Sequence, residues 1–73
     1  MREISLDVCE LAPPEPMERV LDALEAMAPQ DRLAVLIERN PLPLYRILER
    51  RGYRHCITAR PDLRYDLLIW RAP

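Results

Sequence analysis

Cys9, Cys56 and His55 are the side chains of this chain best suited to nucleophilic or metal chemistry. A thiol attacks or carries sulfur only as its thiolate, which a helix N-terminus or a nearby cation favours. His55 and Cys56 are neighbours in a stretch that reads as a strand. They therefore point to opposite faces and cannot share a metal from one side. Cys9 brings the soft ligands to three, without the paired spacing of a zinc site. No metal and no cofactor are expected. One histidine leaves no Ser/His/Asp arrangement to read. A single Cys9–Cys56 bridge stays open as an alternative, because sequence does not give the Cα separation. Two cysteines in 73 residues nevertheless suit a reducing compartment better than a secreted one.

The second chemical feature is basic. Residues 1–38 hold three arginines against nine acids, a balance of −6, and residues 39–73 hold eight arginines against three acids, a balance of +5. Arg46, Arg50, Arg51 and Arg54 form a basic cluster at the end of a helical segment. Nucleic-acid binding is one reading of that cluster. A pI of 5.8 and the absence of interleaved aromatics count against it. Arginines near a helix C-terminus also suit the helix dipole. Phosphate binding at a helix start needs free N–H groups. Pro14, Pro16, Pro41 and Pro43 remove such donors from both helix starts, and the single glycine permits no glycine-rich loop.

The elements that position these groups follow from periodicity. Ile4, Leu6 and Val8 alternate with Glu3, Ser5 and Asp7, which predicts a half-buried strand over Glu3–Val8. Met17, Val20, Leu21, Leu24 and Met27 or Ala28 line one stripe of a helix from about Pro14 to Met27. Arg32–Glu38 is apolar on both faces, as an interior strand is. Asn40 reads as an N-cap and Pro41 as the first residue of a helix to Arg51. Gly52 follows where a left-handed C-cap is needed. Strands over Tyr53–Arg60 and Arg64–Arg71 flank the turn Arg60-Pro61-Asp62-Leu63. The order βαβαββ predicts an α/β two-layer sandwich, with a right-handed parallel crossover, a final hairpin and two helices on one sheet face. One domain spans residues 1–73. No apolar run approaches the ~18 residues of a membrane span, and Met1-Arg2-Glu3-Ile4 opens without a signal-peptide core. A cytoplasmic protein with no membrane partner is expected.

Leu6-Asp7 at a strand end, Pro14-Glu15-Pro16 at a helix start, Met27-Ala28-Pro29-Gln30-Asp31 at its exit and Tyr65-Asp66-Leu67-Leu68-Ile69 in the last strand resemble the TusA-like (SirA-like) superfamily. Asn40-Pro41-Leu42-Pro43-Leu44-Tyr45 and Glu49-Arg50-Arg51-Gly52-Tyr53 look like its uncharacterised branch, number 2249 among the domains of unknown function. The resemblance implies a four-stranded mixed sheet of order 1-2-4-3. It also implies that Pro13 stands where the superfamily holds its persulfide cysteine, and Glu10 where a glycine usually stands. Cys9 lies four residues upstream of Pro13, up to ~13 Å away in an extended chain, and is a poor substitute by position.

Such a sheet leaves one face open. If Tyr65, Leu67 and Ile69 face the helices, Leu68 and Trp70 face the other way, and Leu36 joins them from the neighbouring strand. An apolar patch on a small monomer marks an interaction site, and Trp is enriched at binding hot spots. The expectation is a non-enzymatic TusA-like interaction module that takes a protein partner or a second copy on this face. The resemblance ties it to sulfur or redox metabolism. The alternatives are a sulfur-transfer protein using Cys9 or Cys56, and a small nucleic-acid-binding regulator.

Overall fold

A computed structural model describes residues 2–73. Its elements are β1 (Glu3–Asp7), α1 (Glu15–Ala26), β2 (Arg32–Ile37), α2 (Leu42–Arg50), β3 (Tyr53–Ala59) and β4 (Tyr65–Arg71). They form one four-stranded sheet of order β1-β2-β4-β3. β1 and β2 run parallel, and β4 is antiparallel to both of its neighbours. This is the α/β two-layer arrangement that the element order predicts.

The core lies between the sheet and the helices. Leu33, Val35 and Ile37 of β2 and Leu67 and Ile69 of β4 are buried against Val20 and Leu24 of α1 and Leu44 and Leu48 of α2. Burying an aliphatic side chain of this kind stabilises by about 1.5–3 kcal/mol. Tyr53 closes the far end, its hydroxyl donating to the Leu24 carbonyl at 3.5 Å. Among the described residues Asp31 is the one buried charged residue. Its carboxylate accepts the N–H groups of Arg2 at 3.1 Å and Ala28 at 3.3 Å, so it ties the start of β1 to the exit of α1.

The helix starts differ from expectation in one respect. Asn40 does not cap α2. Pro41 occupies the cap position and Leu42 is the first helical residue. Pro43 at the second helical position has no N–H for a side-chain cap to serve. The Asn40 side-chain oxygen instead accepts the Tyr45 hydroxyl, and its carbonyl accepts the Leu42 N–H. At the other end of α2, Gly52 takes φ +83°, the left-handed cap expected of it.

Among the described residues, two share that left-handed region without being glycine. Glu10 has φ +69° and Leu63 has φ +68°. Glu10 is held by its N–H donating to Glu38 Oε1 at 3.0 Å. Leu63 sits at the tip of the β3–β4 hairpin, where Arg60 and Leu63 N–H groups close the turn.

Candidate functional site

The carboxyl ends of β1 and β2 and the N-terminal ends of both helices meet at one end of the sheet. Ligands of open α/β sheets bind beyond the carboxyl ends of the strands. Here a cleft of about 460 Å³ opens between the helix starts. One wall carries Val8, Leu11, Pro13, Pro14, Pro16 and Met17, the other Ile37, Glu38, Arg39, Pro41, Pro43 and Leu44. Five prolines strip this cleft of N–H donors, and neither helix has a side-chain cap. An anion finds little to bind there, whereas an apolar group finds matched walls. The rim is polar. The Glu38 carboxylate is engaged by Glu10. Arg39 is exposed and makes no ion pair among the described residues.

Neither thiol lines this cleft. Cys9 is half-buried just past β1, with its N–H donating to Asp7 Oδ1 at 2.9 Å. Burial pushes its thiol pKa up, the Asp7 carboxylate pushes it further, and Arg64 only partly opposes them. Cys56 is exposed on β3 at the opposite edge of the sheet. Three strand spacings, ~14 Å, separate the two edges, and both cysteines are free. His55 turns to the helix layer, stacked on Tyr45 with ring centroids 4.1 Å apart.

The basic cluster does not assemble. Arg46 and Arg50 are exposed on α2, and Arg51 beyond its end reaches Glu25 of α1 at 3.5 Å. Arg54 faces the opposite side of the sheet, in the row of Trp70. At the hairpin tip Asp62 accepts from Arg64 at 2.6 Å and Arg60 at 3.4 Å, while Arg60 also holds Asp66 at 3.1 Å. The Arg64 guanidinium hydrogen-bonded to Asp62 lowers its pKa to about 2.

On the uncovered face the strands align in three rows. Glu3, Arg32, Trp70 and Arg54 form the first, Ser5, Ala34, Leu68 and Cys56 the second, and Asp7, Leu36, Asp66 and Thr58 the third. Leu36, Leu68 and Trp70 thus share the open face, each half-buried among its row neighbours. Among the described residues the large apolar side chains that stand out into solvent are others, Leu42 (65% exposed) and Leu63 (87%).

Residues 5–71 match the family described as "Uncharacterized conserved protein (DUF2249)". The chain belongs to this family. The DUF2249 match runs through every strand and both helices described above. The crystal structure of a SirA-like protein from Desulfitobacterium hafniense is similar throughout, with a TM-score of 0.74, 19% identity and full coverage of both chains. At that identity the likeness is one of fold, and the chain has the TusA/SirA-like fold. No curated protein matches it. Among the described residues no helix is long and apolar enough to cross a membrane.

The cleft itself escaped the sequence reading. Pro14, Pro16, Pro41 and Pro43 were legible as lost donors. That both helix starts face one another across Val8 and Ile37 needs the parallel β1–β2 pairing.

Proposed function

We propose that this DUF2249 protein is a non-enzymatic docking module that keeps a sulfur-carrier fold without carrying sulfur. The observation behind this reading is the cleft between the helix starts, where Pro13 contributes wall and no thiol is present. Its occupant is a segment of a partner protein that presents an apolar side chain with a carboxylate beside it. The apolar walls take the side chain, and Arg39 on the rim answers the charge. Prolines at both helix starts favour this over phosphate or persulfide chemistry, which need N–H donors or a thiolate. A role tied to sulfur or redox metabolism rests on the resemblance to the TusA-like superfamily alone.

Sulfur transfer through Cys9 or Cys56 is the competing reading. Incubation with a cysteine desulfurase and L-cysteine, followed by intact mass analysis, separates the two. The docking reading expects no gain of a sulfur atom at either cysteine beyond that of the denatured chain. Selective loading of Cys9 or Cys56 in the folded protein overturns it. Docking is tested by panning a displayed random-peptide library on the wild type, with counter-selection on Arg39→Glu. Enriched peptides should share an apolar residue next to Asp or Glu. Enrichment that ignores the Arg39 substitution sinks the proposed chemistry.

A further inference from the structure

The open sheet face is separate from the cleft, and its three rows have a pattern of their own. The first row reads Glu3, Arg32, Trp70, Arg54 across β1, β2, β4 and β3. Among the described residues Glu3, Arg32 and Arg54 make no ion pair within the chain. We infer that this face binds a second copy of the chain, through a two-fold axis parallel to the strands and passing between β2 and β4.

That axis lays β2 on the partner's β4 and β1 on the partner's β3, and it keeps each row facing itself. Arg32 then meets the partner's Trp70, a cation over an aromatic face. Glu3 meets the partner's Arg54. In the second row Leu68, large, meets the partner's Ala34, small, and Ser5 meets the partner's Cys56. A two-fold interface makes each contact twice. Size and charge therefore complement one another in two adjacent rows.

The alternative in-plane axis, perpendicular to the strands, fails the same comparison. It sets Glu3 against the partner's Asp7, and Asp7 against the partner's Glu3, on superposed β1 strands. Asp66 meets an apolar side chain under either axis, the partner's Trp70 under this one and the partner's Leu36 under the other, so the charged edge pairs decide. Like charges placed opposite are destabilising.

Sheet twist does not spoil the favoured match. Face-packed sheets cross at about 30° and lie ~10 Å apart. With strands ~4.8 Å and successive rows ~6.8 Å apart, a rotation centred between the first two rows displaces their opposed residues by about 2 Å on the inner strands and ~4 Å at the edges. The inner pairs are Arg32 with Trp70 and Ala34 with Leu68, where fit matters most. The edge pair is Glu3 with Arg54, whose long side chains span the offset. The third row is the weak end. Asp66 is already held by Arg60 at 3.1 Å, and a shallow hollow of about 580 Å³ runs from it past Leu36 to Ala34 and Leu68 of the second row.

Sedimentation velocity of the full chain, from micromolar to millimolar concentration, tests the inference. The wild type should dimerise reversibly. Glu3→Arg and Arg54→Glu should each weaken the dimer by about tenfold or more, since each substitution acts at two symmetric positions. The double variant should recover most of the loss, which the perpendicular axis does not predict. Trp70→Ser should leave a monomer whose circular dichroism matches the wild type. A wild type that stays monomeric at millimolar concentration overturns the proposal. A dimer indifferent to Glu3, Arg54 and Trp70 overturns it equally. Because Arg39 lies outside this face, its substitution should not alter the dimer, so the docking reading and this one fail independently.

Discussion

The N–H of Cys9 donates to Asp7 Oδ1 at 2.9 Å, which holds a carboxylate beside the thiol at the end of β1. A carrier cysteine needs the reverse, a positive environment that stabilises the thiolate. Burial first, and Asp7 second, push the Cys9 pKa above its ordinary value. Alkylation of Cys9, followed by mass spectrometry across pH, should therefore lag a model thiol at pH 8. Asp7→Asn should speed it, because the negative neighbour is gone while burial remains. Arg64→Gln should slow it, because the opposing cation is lost. A wild-type Cys9 that reacts fully near pH 6 contradicts this account.

Glu10 takes φ +69°. A side chain in that region costs about 1–2 kcal/mol, which glycine avoids at some expense in unfolded-state entropy. Glu10→Gly should therefore stabilise the fold by about 0.5–1 kcal/mol, raising Tm by roughly 2–8 °C in a domain of this size. Glu10→Val should destabilise, since a β-branched side chain tolerates this region least. Thermal melts of the two variants decide it. A destabilised Glu10→Gly variant contradicts the strain argument.

These positions mark how far the sequence could be read. Alternation in β1, the apolar run of β2 and the stripe of α1 predict the elements to within a residue or so, because each is a local pattern set by one core face. The βαβαββ order and the family resemblance then fix the sheet. Glu10 was legible only as a glycine replaced, and Leu63 carries no turn signal at all, since a left-handed leucine is imposed by the hairpin around it. The arginine cluster misled for a related reason. Arg54 follows Arg51 closely in sequence, but the start of β3 turns it to the opposite side of the sheet from α2. The alternation placing Leu36, Leu68 and Trp70 on one face was readable. The half-burial of Trp70 was not, because it depends on Arg32 and Arg54 flanking it across strands.

Asp62 supplies the acid-side prediction. Its ordinary pKa of 3.8 falls to about 2 in the folded protein, chiefly through the Arg64 hydrogen bond. A lowered carboxylate pKa contributes stability that is fully present above the unfolded value and is lost as pH falls through the folded one. The hairpin tip should thus stay ordered down to about pH 4 and loosen between there and pH 2. Amide shifts of Leu63 and Arg64, followed by NMR titration, should move in that window. Asp62→Asn should flatten their response. Exposed pairs are screened, so added salt should shrink the effect. An Asp62 carboxyl that titrates near 3.8 refutes the pairing.

Helix α2 offers a contrast between two leucines on one helix. Leu48 is fully buried against the sheet, whereas Leu42, six residues earlier, is 65% exposed. Removing a buried leucine side chain forfeits its transfer energy and leaves a cavity, about 2–5 kcal/mol in all. A domain of this length holds roughly 0.05–0.15 kcal/mol per residue of net stability, so Leu48→Ala removes a large share of it. Leu42→Ala should change stability by less than about 0.5 kcal/mol, as surface substitutions do. Urea denaturation should put the midpoint of Leu48→Ala far below that of the wild type and leave Leu42→Ala in place. Equal losses in the two variants would mean that α2 presents a different face to the sheet, and the cleft built on its first turn would have to be redrawn.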